Sequence, residues 1–141
     1  MGTLVCTLTH KFDDWGGRFS ILSMPGRTID DIWIMEREWK NNQPSISCVP
    51  RDEYSIEKHN GVKYTGTFAV IGDGVSHFRD DGKPRFSCVF HKAVLPSDLA
   101  GCLAPARSIS AGGIAVGSED ATLALLKAWN DHDGSIKLLC Q

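Results

Sequence analysis

Apolar side chains in this chain alternate over short runs broken by turn residues, and one segment alone repeats at helical spacing. This pattern restricts the fold more than any other feature. A period of two marks a strand with one buried face, and a period near 3.6 marks a helix. Leu4, Cys6 and Leu8 lie on one face of a strand over 3–10, with Val5, Thr7 and Thr9 opposite. Asp13-Asp14-Trp15-Gly16-Gly17 reads as a turn and 18–22 as the returning strand, and Pro25-Gly26 turns again. Within 28–38, Ile32, Ile34 and Glu36 alternate with Trp33, Met35 and Arg37, and the β-branched and aromatic content favours strand over helix.

A polar loop over 39–44 and a short extended piece over 45–50 follow. Asn60-Gly61, between alternating segments 53–59 and 62–71, is the strongest hairpin signal, because a type I′ turn needs positive φ at both central positions. The stretch 72–84 reads as a polar surface loop, 85–91 as a strand, and 107–117, rich in Ser, Ala and Gly, as a long mobile loop. Ser118 is placed to cap a helix, with Glu119 and Asp120 at its positive end and Ala121, Thr122, Leu125, Leu126 and Trp129 at helical spacing. Gly134 is expected to end that helix, and 135–140 to form a last strand. These elements predict a mainly β fold of the α+β class. The expected form is a compact β-barrel or β-sandwich with one packed C-terminal helix, over 1–141 as a single domain.

With 42% hydrophobic and 23% charged residues the chain can build a core. A net charge of -2 gives no electrostatic reason to expect nucleic acid or an anionic membrane surface. Five cysteines, at 6, 48, 88, 102 and 140, form no C-x-x-C pair and no even framework, which fits reduced thiols in a cytoplasm. No basic segment precedes a long apolar run at the start, and no stretch nears the roughly 18 apolar residues that span a bilayer, so synthesis in the cytoplasm without a signal peptide is expected.

The chemistry centres on the stretch from Cys88 to Cys102. His91 ends an apolar run, and Gly101-Cys102 follows after a loop holding Pro96 and Asp98. A thiol attacks as thiolate, and a neighbouring imidazole supplies the base it needs. Gly101 would permit a tight turn before the nucleophile, and amides around Cys102 could receive an oxyanion. The plain alternative is a buried structural cysteine and a histidine that only closes a strand end. Cys88, His91 and Cys102 could supply three zinc ligands, but Cys88 and His91 stand three apart on a strand and should face opposite ways, so no metal or other cofactor is expected. Arg107 could clamp a substrate carboxylate, or be a solvated loop residue. Asp98, beside Ser97, could orient His91, or close a turn on its own backbone. Asp80-Asp81 reads as a solvated loop pair, and no glycine-rich phosphate loop precedes a helix. Trp129 reads as core, whereas Trp15 and Trp39 sit in polar segments and could mark a binding face.

Residues through most of the chain, from about Leu8 to Trp129, resemble a family of small phage and prophage proteins known as a domain of unknown function. The matching residues are Met35 to Asn42, Cys48-Val49-Pro50 with Tyr54, Phe90-His91, Leu99 with Gly101-Cys102-Leu103, and Ser118 with Ala121 and Leu123. That resemblance implies a virion-associated tail, baseplate or accessory component, with other phage particle proteins as partners and a place in the particle. At His91, Gly101 and Cys102 alone the order is also similar to L,D-transpeptidases, β-rich enzymes acting on peptidoglycan peptides. The similarity implies the alternative, a Cys/His acyl-transfer enzyme on cell-wall peptide. In it His91 is the base, Cys102 the nucleophile, Gly101 and the Cys102 amide the oxyanion helpers, and Arg107 and Asp98 stand toward substrate. The virion role is the first expectation and the enzyme the second. Neither sets an oligomeric state.

Overall fold

Strand β1 (Thr3–Asp14) is the axis of the molecule. In the computed structural model, which describes residues 2–26, 31–44, 46–60, 65–76, 85–86 and 88–141, β1 pairs in parallel with β11 (Ser135–Cys140), Leu4 opposite Ile136 and Cys6 opposite Leu138. On its other side it pairs antiparallel with β2 (Gly17–Ser23). The expected alternation holds: Leu4, Cys6 and Leu8 are all buried. The link between β1 and β2 is the two residues Trp15 (φ 52) and Gly16 (φ 73), the double positive φ of a type I′ turn. A bulky residue rarely adopts that conformation. Here the Trp15 ring meets Phe12 and Phe19 edge-on, each at 6.0 Å.

The remaining strands complete one curled sheet of seven. Strand β3 (Ile32–Arg37) pairs with β2, and β8 (Ala104–Ala106) with β3. On the other side β4 (Glu53–Asn60) pairs with β11, and β5 (Thr65–Ile71) with β4. The order is β5-β4-β11-β1-β2-β3-β8, so β5 and β8 are the edges. The segment 88–91 lies between them. Toward β5, the Val70 amide donates to the Cys88 carbonyl (2.9 Å) and the Phe90 amide to the Phe68 carbonyl (3.2 Å). Toward β8, the His91 amide donates to the Leu103 carbonyl (3.0 Å), and the Leu103 amide to the Val89 carbonyl (3.0 Å). One short segment thereby bridges β5 and the residue that leads into β8, and the sheet curls as a half-barrel.

Two short pairs decorate this sheet. Strand β6 (Val75–Ser76) runs parallel to β7 (Arg85–Phe86), and β9 (Ser108–Ser110) runs antiparallel to β10 (Ile114–Val116). The expected single strand over 85–91 is therefore two pieces. The expected mobile loop over 107–117 is a hairpin turning at Gly112 (φ 86) and Gly113 (φ 81). Three-residue strands are too short to produce a legible alternation. Gly61, in the expected Asn60-Gly61 turn, and 77–84, with Asp80-Asp81, lie outside the described residues, although Asn60 does pair with Thr65.

Helix α1 (Ser118–Asp131) begins from Gly117 (φ 67), one residue before the expected cap, and ends at Asp131, short of Gly134. The Ser118 hydroxyl is engaged elsewhere: it accepts the Ala93 amide at 3.0 Å. Gly134 instead lets the start of β11 pass against the Gly2 carbonyl, where no Cβ would fit. Ala121, Leu125 and Trp129 face the main core with Leu4, Leu8, Ile34 and Phe90. Trp129 is 1% exposed and meets Phe90 edge-on at 4.9 Å and Phe68 at 5.4 Å. Among the described residues no helix is long and apolar enough to cross a membrane.

Trp129 fastens the helix to the segment that closes the sheet. Trp129→Ala should cost about 3 kcal/mol or more, the usual penalty for emptying a large aromatic site. Urea denaturation measures it, and an unchanged midpoint would refute this packing.

Candidate functional site

The closing segment is also where the candidate chemistry lies. Phe90 and Leu103 form a parallel bridge, and both belong to the main core. Their neighbours in sequence therefore face the other way. Val89, Cys102 and Ala104 do so, joining a second cluster with Phe19, Met35 and Leu99. The same alternation puts His91 on the side of Val89, diagonal to Cys102. Diagonal neighbours on paired strands have Cα atoms roughly 7–8 Å apart, within side-chain reach. The fold thus brings His91 and Cys102 to one face of adjacent strands. Cys88 falls in the main core, on the opposite face, and among the described residues no three His, Cys, Asp or Glu side chains gather as a metal set.

His91 has a defined orientation. Its Nδ1 lies 2.9 Å from the Lys92 carbonyl. A carbonyl oxygen only accepts, so Nδ1 carries a proton, and in the neutral ring the lone pair is on Nε2. Nε2 is buried. Gly101 has φ 84, a conformation that favours glycine, as the expected turn before the nucleophile requires. Cys102 is 2% exposed.

The other expected residues divide. Asp98 closes the loop: its Oδ2 accepts the Leu95 amide at 2.9 Å and the Val94 amide at 3.3 Å, around the 3₁₀ turn Pro96–Asp98. It does so rather than orienting His91, whose Nδ1 partner is backbone. Arg107 is drawn to the helix, its Nε donating to Asp120 Oδ2 at 2.8 Å. It does not line the cleft beside the loop. That cleft, of about 500 Å³, is bounded by Lys92, Val94, Asp98, Ala115, Ser118 and Glu119. Trp15 and Trp39 are both 44% exposed, and Trp15 lies against Gly113 of the β9–β10 turn.

Two buried charges beneath the site were not singled out from the sequence. Arg85 is 1% exposed. Its Nη2 donates to the Gly101 carbonyl (2.9 Å) and to Cys88 Sγ (3.2 Å). Its Nη1 donates to Asn42 Oδ1 (3.0 Å) and to the Cys48 carbonyl (3.3 Å). Glu36 is 2% exposed and its Oε2 accepts the Val49 amide at 3.0 Å. The signal for Glu36 was its alternation with Ile32 and Ile34, which puts a carboxyl on a buried face. For Arg85 it was a cation opening the apolar run Phe86 to Phe90.

Burial also sets the acidities. It pushes the Glu36 carboxyl from 4.5 up to about 7, against the Val49 amide and the guanidinium groups of Arg18, Arg51 and Arg85. Burial likewise pushes the Cys48, Cys88 and Cys140 thiols up to about 12. Between about 4.5 and about 7 the unfolded chain releases the Glu36 proton while the folded chain keeps it. Stability should therefore fall as pH rises through that window, by roughly 3 kcal/mol, and stay level above it. Glu36→Gln should remove this decline, as read by urea denaturation at pH 5 and pH 8. An equal decline in the variant would assign it to another group.

Comparison with family models, curated proteins and solved structures finds no match for this chain.

Proposed function

We propose that this chain is a cysteine acyl-transfer catalyst with Cys102 as nucleophile and His91 as base, acting on the cell-wall peptides that its L,D-transpeptidase-like order implies. The observation that carries this reading is the His91 orientation. Nδ1–H is held by the Lys92 carbonyl, which turns the buried Nε2 edge of the ring to the face that Cys102 shares. A carbonyl in that position does the orienting work that a carboxylate does in other triads.

The chemistry follows from those atoms. Nε2 takes the thiol proton, and the thiolate attacks the carbonyl carbon of a peptide bond. The resulting oxyanion is received by backbone amides at the Gly101–Cys102 turn. The C–N bond breaks as the leaving amine takes the proton back from Nε2, and an acceptor amine or water then releases the acyl group. A phage context supplies the route to the wall, through lysis or the particle.

The second reading, a virion component, is favoured by a separate observation. Trp15, Val94, Ile114 and Val116 are large apolar residues left exposed, Val94 at 57%. They adjoin one another, since the Ala115 amide donates to the Val94 carbonyl and Trp15 touches Gly113. Such a patch suits contact with another particle protein.

Alkylation of Cys102 against pH separates the two. The background is quiet, because Cys48, Cys88 and Cys140 are pushed up to about 12 and Cys6 is fully buried. A catalyst should give Cys102 an apparent pKa at least about one unit below a free thiol, and His91→Ala should abolish that depression. Access limits the absolute rate, so the midpoint is the quantity to read. Cys102→Ala should fold normally and release no product from peptidoglycan peptides. A Cys102 that stays silent until unfolding would end the catalytic reading and leave the particle role.

A further inference from the structure

We propose that Arg85 is a positioning residue for the reaction at Cys102, its guanidinium holding the Gly101 carbonyl so that the Cys102 amide and thiol point to the reacting carbonyl. This inference rests on the acyl-transfer reading above. The Gly101–Cys102 peptide is trans and planar, so its C=O and N–H point in opposite directions. Arg85 Nη2 grips the C=O at 2.9 Å. The Cys102 N–H therefore faces away from the guanidinium, and the same plane fixes where the Cys102 Cα stands.

The grip is itself fixed. Asn42 Oδ1, the Cys48 carbonyl and Cys88 Sγ, from three other points of the chain, hold the other three Nη donors of the same fork. The guanidinium thus cannot follow a displaced carbonyl without breaking its other bonds. Gly101, at φ 84, has a backbone that would otherwise be among the freest in the loop. Filling the space alone does not call for a cation. A buried charge carries a large desolvation penalty, and an apolar side chain of similar volume would pack as well. What the guanidinium adds is a planar, charge-assisted grip on one carbonyl.

The test uses two reactions of one thiol. With 4-nitrophenyl acetate, the Cys102 thiolate attacks the ester carbonyl carbon. A C–S bond forms, the C–O bond to the ring breaks, and 4-nitrophenolate leaves with the electron pair while His91 Nε2 holds the thiol proton. With iodoacetamide the thiolate displaces iodide, and no oxyanion forms. Arg85→Gln should lower the 4-nitrophenolate burst rate by about 100-fold, the scale of a lost oxyanion donor, and leave the pH midpoint of Cys102 alkylation unchanged. Arg85→Lys, which keeps a cationic donor for the Gly101 carbonyl, should recover part of the burst rate. A wild-type burst in Arg85→Gln, or an equal loss of both reactions in the folded variant, overturns the proposal. A wild-type protein with no burst, or with a burst that survives Cys102→Ala, overturns the acyl-transfer reading and this inference with it. Should Arg85→Gln fail to fold, hydrogen exchange of the Arg85 Nη protons in the wild-type protein decides. Protection well beyond that of surface arginines supports the fixed grip, and exchange as fast as theirs overturns it.

Discussion

Four backbone hydrogen bonds on the segment 88–91 hold the two edges of the sheet together, two reaching Phe68 and Val70 and two reaching Leu103. Strands β5 and β8 would otherwise each expose a row of unpaired amides and carbonyls, a standing invitation to pairing with other chains. Closure removes most of that exposure, and alternation then does the rest. Phe90 and Leu103 turn inward to the core that Trp129 fills, so their neighbours Val89, His91 and Cys102 turn to the other face. The ladder that closes the fold is thus also what aligns the two candidate reactive groups. A one-residue slip along it would send Cys102 into the main core and Leu103 out of it. Stability and site geometry are enforced by the same bonds.

Beneath this seam the chain buries charge where apolar residues would be cheaper. Arg85 serves carbonyls from two segments, a thiol and an amide side chain. Glu36 receives the Val49 amide one layer away. Arg85 is the weakest of the influences that pull the Glu36 pKa back down. Burial dominates at Glu36, so near neutrality that carboxyl is still partly protonated. Arg85, in contrast, remains a full cation. A full cation under Gly101 suits a carbonyl that must be held.

Much of the fold was legible because the core strands are long enough to alternate. Leu4, Cys6 and Leu8 on β1, Ile32 and Ile34 on β3, and the helical spacing of Leu125 and Trp129 all announced their buried faces. What was not legible was local or non-local in ways a pattern cannot encode. Strands β9 and β10 have three residues each, and their Ser, Ala and Gly content imitates a loop. The cap of α1 moved to Gly117 because Ser118 had a better partner in the Ala93 amide, 25 residues away. At the site, the nearness of His91 and Cys102 was foreseeable from a strand end and a glycine turn. The roles of Arg107 and Asp98 were not, because they depend on which acceptor or donor lies closest. Asp120 takes Arg107, and the Val94 and Leu95 amides take Asp98. Arg85 was hidden for the opposite reason: three of its four partners, Asn42, Cys48 and Gly101, lie far from it in the chain.

The catalytic and particle readings meet on the loop 92–98. Its Lys92 carbonyl sets the His91 tautomer, its Val94 carbonyl accepts the Ala115 amide, and Asp98 closes it internally. Beyond it, Arg37 Nη1 donates to the Leu99 carbonyl at 3.2 Å. With its backbone held at both ends, this loop turns the apolar side chain of Val94 outward. Any molecule that covers Val94 and fills the adjoining cleft must press on the same short stretch of backbone that orients the imidazole. A wall peptide and a particle protein would therefore both be felt at His91. The difference between them lies one strand away, in whether the thiol of Cys102 answers.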